Sequence, residues 1–293
     1  MNPLRSLVRE AVPTLTEAGV ASPRADAVAL VAHVLGVGPG ELERRLVLGE
    51  ELSEEGVTRF RDLVAERAAR VPLQHLTGRA AFRRLTLHVG PGVFVPRPET
   101  EGVAGLAIEA LAGRESPIAV DLCTGSGALA LALADEVPGA RVLAVEVDRL
   151  ALAWTARNVA ATGLPVEVLA ADATAPPEEE PALAELLGSV DVVVSNPPYV
   201  PQEMVPVDPE VAEHDPAVAL FGGSADGLRI PLAVAATAAR LLRPGGLLVM
   251  EHADEQGESL PAALTATGAW TDVTDHRDLA GRPRAVTASR CIT

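Results

Sequence analysis

From residue 118 onward the chain alternates short β-rich runs with helical ones, and this alternation limits its possible folds more than any other feature. The pattern predicts strands over 118–121, 141–145, 166–170, 191–195 and 246–251. It predicts helices over 128–136, 149–161, 227–242 and 255–267. Neighbouring parallel strands need a crossover connection, which a helix supplies. The expected architecture is therefore α/β, a mainly parallel sheet covered by helices on both faces. Two further β-rich runs, near 270–275 and 284–290, have no helix between them, so one of them is expected to run antiparallel. The stretch 176–181, with three consecutive glutamates, predicts an exposed acidic loop.

The N-terminal part obeys a different period. Leu4, Leu7, Val8, Ala11 and Leu15 recur at helical spacing, a second apolar stretch covers 27–35, and a third helix is expected over 54–69. Ser22-Pro23 is a start signal for the second helix, and the glycines from Gly36 to Gly40 form a stop. From Leu85 to Val95 apolar and polar residues alternate around Gly90-Pro91-Gly92, which predicts a hairpin there. The expected domains are thus an all-helical one over 1–75, a hairpin linker over 76–96 and the α/β domain over 97–293. Arg97 and Glu99 are candidates for an ion pair at the junction.

Composition narrows the function classes. A formal net charge of -16 gives no general attraction to phosphate backbones, so direct nucleic-acid binding is not expected. Every cationic side chain that is not histidine is an arginine, so no lysine can form a Schiff base or act as a general base. Cys123 and Cys291 make neither a disulfide framework nor a metal-ligand pattern, and no metal is implied. No apolar run approaches the roughly 18 residues that span a bilayer. Glu and Pro stand where a signal peptide would be apolar, so a soluble cytoplasmic protein is expected. Oligomeric state is not legible. His75, His214 and His252 are isolated along the chain and are expected to be structural.

Asp121-Leu122-Cys123-Thr124-Gly125-Ser126-Gly127 closes the first strand of the α/β domain and opens a helix. Glycines at such a turn let the backbone approach a ligand closely, although many α/β proteins use them only for packing. Glu146 ends the second strand about twenty residues later, where a carboxylate can accept hydrogen bonds from a ribose diol. Asp172 follows the third strand, where an adenine amino group can be met. The tips of successive parallel strands converge on one crevice, so together these features suit an adenosine ligand. They do not separate a nicotinamide dinucleotide from S-adenosylmethionine.

Asn196-Pro197-Pro198-Tyr199 follows the fourth strand and makes that separation. An amide nitrogen is a poor nucleophile because its lone pair is delocalised into the carbonyl. Asn196 Oδ1 and the Pro197 carbonyl can each accept one N–H of an NH₂ group, the prolines stiffen the backbone that aims them, and Tyr199 offers a flat face. Holding both N–H bonds turns the lone pair toward a methyl donor. A nicotinamide dehydrogenase has no use for this motif, and a non-catalytic adapter would not need Asn196 and Tyr199.

These residues resemble a family. Asn-Pro-Pro-Tyr marks Rossmann-like class I methyltransferases that act on amide or exocyclic nitrogen. Several further stretches are similar to the release factor glutamine methyltransferases, the HemK/PrmC family: Pro72-Leu73-Gln74-His75-Leu76-Thr77-Gly78, Phe94 through Glu101, Asp208-Pro209-Glu210-Val211, Gly222-Gly223, Asp226-Gly227-Leu228, Glu251-His252 and Gln256. The resemblance runs from about residue 70 to the C-terminus, whereas the helical region matches only in length and character. It implies S-adenosylmethionine as cofactor, with its methionine part against Asp121 and the Cys123–Gly127 loop. It implies Glu146 on the ribose, Asp172 and Ala173 beside the adenine, and Asn196, Pro197, Pro198 and Tyr199 on the substrate amide. It also implies a class I translation release factor as protein substrate, methylated on the glutamine of its Gly-Gly-Gln motif, with the helical domain helping to hold it. A ribosomal-protein glutamine is the nearest alternative, since only docking would differ. A nucleic-acid adenine is a further one that the charge disfavours. Three positions depart from the family's usual residues: Cys123 for Gly, Glu146 for Asp, and Ala173 for a larger side chain.

Overall fold

The computed structural model describes residues 3–292. By contact they form two compact units, one made of the described residues up to Arg79 together with Pro206–His214, the other of Ala80–Val205 and Asp215 onward.

The first unit is helical, with helices Pro3–Glu17, Pro23–Leu35, Pro39–Leu48, Glu54–Ala68 and the short Leu73–Thr77. Leu4, Val8, Ala11 and Leu15 form one buried stripe that packs in a single core with Ala27, Leu30, Val31, Phe60, Leu63 and Val64. Gly36, at φ 66°, ends the second helix as its stop signal predicts. The Pro39–Leu48 helix is a departure from the expected pattern. Its start, Gly38-Pro39, lies inside the glycine run that ends the helix before it, and its buried positions are Leu42 and Leu46.

In the second unit, β1 (Arg79–Phe82) and β2 (Leu85–His88) form a two-stranded sheet. The hairpin expected over 85–95 around Gly90-Pro91-Gly92 is not formed; a different one spans Arg79–His88 and turns at Arg83-Arg84. Arg83 adopts φ 50° without being glycine, and distant partners supply what the local sequence lacks. Its N–H donates to Glu101 (3.0 Å), and its guanidinium donates to Glu136 (2.9 Å) and to the Glu101 carbonyl (3.0 Å). Gly90 instead lies against Trp154, where a Cβ would stand 2.6 Å from the indole.

A seven-stranded sheet follows, built from β3 (Ile118–Leu122), β4 (Arg141–Glu146), β5 (Val166–Ala170), β6 (Val190–Ser195), β7 (Leu242–Glu251), β8 (Trp270–Arg277) and β9 (Pro283–Arg290). Its order is β5-β4-β3-β6-β7-β9-β8. The pairs from β5 to β7 are parallel, and β9 runs antiparallel to both β7 and β8. The antiparallel strand expected at the C-terminal end is thus β9. Val192 and Val194 join one buried cluster and Val193 the other, which is why β6 carries three consecutive valines. Helices Ala128–Glu136, Arg149–Thr162 and Arg229–Leu241 lie where expected, while the last expected helix splits into a 3₁₀ turn, Asp254–Gln256, and Ser259–Ala266. The acidic stretch holds a 3₁₀ turn, Pro177–Glu179, and a short helix, Pro181–Ala184, anchored by buried Pro177 and Leu183. Among the described residues no single helix is long and apolar enough to cross a membrane.

Candidate active site

Strand order reverses between β3 and β6, the position where open α/β sheets bind ligands at their carboxyl ends. The register lines up these ends: Leu122 pairs with Val145 and Ser195, and Glu146 pairs with Ala170. Beyond them lies a cavity of roughly 460 Å³ lined by Cys123, Glu146, Asp172, Ala173, Pro198 and Ile230, among others. That size suits a small-molecule cofactor.

The loop after β3 is held tightly. The Thr124 hydroxyl donates to Asp121 Oδ2 (2.5 Å), as does the Ala130 N–H (3.1 Å), while Asp121 Oδ1 is buried with no hydrogen-bond partner among the described residues. Burial pushes the Asp121 carboxyl up to about 7, against the pull of those two donors. Glu146 accepts three backbone N–H bonds, from Gly125 (2.8 Å), Val147 (3.0 Å) and Asp148 (2.9 Å). A carboxylate has about four acceptor positions, so roughly one remains to face the cavity. Asp172 is exposed and accepts from both the N–H and hydroxyl of Thr174 (2.8 and 2.7 Å), whereas Ala173 is buried. Cys123 stands at φ 65°, the left-handed region that glycine enters freely, which gives the family's usual glycine at this position a backbone reason. Burial raises the Cys123 thiol far above its ordinary range, and the neighbouring Glu146 and Asp121 charges add to this, so it stays protonated and is no nucleophile.

Sequence reading alone misses two residues behind this loop. The Thr155 hydroxyl donates to the Gly125 carbonyl (2.6 Å). Asn158 Nδ2 donates to the Ser126 carbonyl (2.9 Å) and to the His88 carbonyl (2.9 Å), and Oδ1 accepts the His88 N–H (2.7 Å). Both side chains are fully buried in the Arg149–Thr162 helix. Their spacing of three, on one face of that helix, is the signal that was there to find.

Asn196, Pro197, Pro198 and Tyr199 follow β6 at the same end of the sheet, and Pro198 borders the cavity. Asn196 Nδ2 lies 3.5 Å from the Thr100 hydroxyl. Tyr199 is partly buried and its hydroxyl donates to Glu251 (3.1 Å) at the end of β7. Burial raises the Glu251 carboxyl, while the Thr100 and Tyr199 hydroxyls and the Arg284 guanidinium pull it down. The Tyr199 carbonyl accepts from Gln256 Nε2 (2.9 Å), which also donates to the Asp226 carbonyl (2.8 Å). Gly227, at φ 72°, presses against that same carbonyl: a Cβ there would stand 2.0 Å from the Tyr199 oxygen. The separated motifs at Asp226-Gly227, Glu251 and Gln256 are thus one scaffold around Tyr199.

Arg97 and Glu99 do not pair with each other. Arg97 donates to Asp215 (2.7 Å) and Glu99 accepts from Arg282 (3.3 Å). His252 is buried, with Nε2 3.1 Å from Asp275, and His75 and His214 stand edge to face in the helical unit. That unit also takes in Asp208-Pro209-Glu210-Val211. Buried Arg67 donates to Asp26 and to Glu210 (2.7 Å each), and Arg70 reaches Glu210 (3.1 Å) and Asp208 (3.2 Å).

A cofactor-sized cavity at the switch point of this sheet, with Asn-Pro-Pro-Tyr beside it, defines a Rossmann-like methyltransferase. Residues 6–78 match the PrmC N-terminal domain and residues 84–213 the methyltransferase small domain. The release factor glutamine methyltransferase of Mycolicibacterium smegmatis is 53% identical over 99% of this chain and 99% of its own length, and the chain belongs to that family. A more distant relative, the 4-amino-L-phenylalanine/4-methylamino-L-phenylalanine methyltransferase of Streptomyces pristinaespiralis, is 41% identical over 92% of this chain and 89% of its own. Among solved structures, a methyltransferase from Pyrococcus furiosus shares the fold with a TM-score of 0.50 at 17% identity, over 79% of this chain and 98% of that one.

Proposed function

We propose that this chain transfers a methyl group from S-adenosylmethionine to the side-chain amide of the Gly-Gly-Gln glutamine in class I release factors. The observation that carries the reading is the Asn196–Tyr199 segment fixed at the tip of β6, with Pro198 on the wall of the cofactor-sized cavity. The residues present fit the cofactor. An unpartnered buried carboxylate oxygen on Asp121 and the remaining acceptor position of Glu146 suit a ligand that is cationic and carries a ribose diol. Asp121, Glu146 and the Cys123–Gly127 loop would hold it, with Asp172 and Ala173 at the adenine end. When bound, S-adenosylmethionine supplies an electrophilic methyl group on a sulfonium.

This chain's own part is to aim the nucleophile. Asn196 Oδ1 and the Pro197 carbonyl each accept one N–H of the substrate amide, which leaves the nitrogen lone pair pointing along the only free direction. Those acceptors also stabilise positive charge that develops on nitrogen. Tyr199, tied down at its hydroxyl and at its carbonyl, supports the planar amide from one side. The proton lost from nitrogen passes to water. The helical unit serves as the docking module for the release factor, and the reaction belongs to the cytoplasm.

The test is methyl transfer from tritiated S-adenosylmethionine to purified release factor, ribosomal protein, DNA and free 4-amino-L-phenylalanine in parallel, with peptide mapping. Label on the Gly-Gly-Gln glutamine is the expected result. Label on any other substrate alone would overturn the substrate assignment.

A further inference from the structure

A cationic residue, Arg229, stands on the cavity wall beside the set assigned to the cofactor. It opens the Arg229–Leu241 helix and lines the cavity together with Glu146, Asp172 and Ala173, the ribose and adenine residues. Adenine is a flat aromatic ring, and such a ring gains from a flat group laid against its face. Among the described residues no side chain lining the cavity is aromatic, and Ala173 offers only a methyl group. The planar group that the wall does offer, apart from its carboxylates, is the Arg229 guanidinium.

The loop before this helix seats the guanidinium. Arg229 Nε donates to the Gly223 carbonyl (2.7 Å). The Arg229 N–H donates to the Ser224 hydroxyl (3.1 Å), which in turn donates to Asp226 Oδ1 (2.6 Å). Gly223, at φ 79°, lets the side chain lie this close: a Cβ there would stand 2.3 Å from Nη2 and 2.7 Å from Cζ. Among the described residues Arg229 forms no ion pair, so its charge is uncommitted. Charge also decides which end of the cofactor it meets. S-adenosylmethionine carries a cationic sulfonium towards its methionine end, which repels a guanidinium, whereas the adenine is neutral.

Building on the cofactor assignment proposed above, we infer that Arg229 covers the adenine of S-adenosylmethionine, its guanidinium stacked on the ring and seated there by Gly223. A solvated arginine that merely hydrogen-bonds its own loop would leave ligand affinity unchanged when removed. A guanidinium that reached the cofactor's carboxylate would matter only to ligands that carry one. A guanidinium held for the protein substrate would change release-factor binding and not the cofactor's. An adenine contact acts on every adenosine ligand alike.

The experiment titrates the full chain by calorimetry with S-adenosylmethionine and with methylthioadenosine, which keeps adenine and ribose and lacks the carboxylate. Ligand-free melting temperature is measured for each variant. Arg229→Ala should weaken both ligands by about fivefold to thirtyfold. Gly223→Ala pushes the guanidinium off its seat and should weaken both as well. The double variant should bind within about twofold of Arg229→Ala, because the two changes remove one contact. Parent affinity in Arg229→Ala, or a loss confined to S-adenosylmethionine, would overturn the adenine contact. Additive losses in the double variant would overturn the role given to Gly223. Should Gly223→Ala fail to fold, Arg229→Ala with the two ligands decides alone. A parent chain that binds neither ligand removes the cofactor assignment itself. Tight binding by both the parent and Arg229→Ala leaves that assignment standing and rejects the stacking.

Discussion

Replacing Gly227 with alanine should damage catalysis through a contact made far along the chain from the grip itself. The added Cβ would lie 2.0 Å from the Tyr199 carbonyl oxygen and 2.9 Å from Gln256 Nε2. Relief to even 3.0 Å requires the Tyr199 backbone to retreat by about 1 Å, the difference between that tolerable contact and the one imposed. Misplacement of a positioning group by about 1 Å costs on the order of 10²-fold in rate, or about 2.7 kcal/mol of activation free energy. Backbone strain is a separate effect, because Gly227 sits at φ 72° and an L-residue there loses about 1–2 kcal/mol of stability. Gly163 provides the control: it has φ 67° at the end of the Arg149–Thr162 helix, and a Cβ there meets nothing within 4 Å. Gly163→Ala should share the stability loss and keep the parent turnover. Gly227→Ala should lose turnover at saturating cofactor and release factor, in single-turnover transfer of labelled methyl. Equal turnover in the two variants would refute the claim that close approach of Gly227 holds Tyr199 in place.

Three other perturbations probe different parts of the molecule. Glu146→Ala removes the acceptor of the Gly125, Val147 and Asp148 N–H groups, so S-adenosylmethionine affinity should fall by about 1–3 kcal/mol in calorimetry; unchanged affinity would count against its role. The Asp121 carboxyl, raised to about 7 in the folded state, favours folding when protonated. Its contribution is therefore full below pH 4 and is lost as pH rises from about 4 to 7. Ligand-free Asp121→Asn should show a flatter stability profile across that window, and a profile parallel to the parent's would reject the assignment. Arg67→Met strands the Asp26 carboxylate, which is 11% exposed, and takes one of two arginines from Glu210. Denaturant unfolding should report about 3–5 kcal/mol lost from the helical unit, and a loss under about 1 kcal/mol would show the triad to be dispensable.

The parallel core of the sheet was legible because both of its faces are buried: the Val190–Ser195 strand carries three consecutive valines, Val192 to Val194, all of them buried. Of the candidate site, the sequence pattern made legible the placement of Asp121, Glu146 and Asn196 at or just beyond the carboxyl ends of their strands. What escaped depends on partners distant in sequence. The Arg83 turn borrows its stabilisation from Glu101 and Glu136, so no local turn residue announces it. Thr155 and Asn158 serve the glycine loop from across a helix, and Glu251 serves Tyr199 from 52 residues away. The Pro39–Leu48 helix was hidden because one glycine-proline run ends its predecessor and starts it.

Arg67 also sets an order of events during synthesis. Its second carboxylate partner, Glu210, lies 143 residues downstream, beyond strands β3 to β6. At roughly 5–20 residues per second, a ribosome takes about 7–29 s to deliver it after Arg67 has been made. For that interval the nascent helical unit holds a guanidinium with one of its two carboxylates missing. It reaches its final charge pairing only once the strands that frame the cofactor cavity have been translated. Completion of the N-terminal unit thus waits on the middle of the chain, and a ribosome that stalls before Glu210 leaves that unit short of its last ion pair.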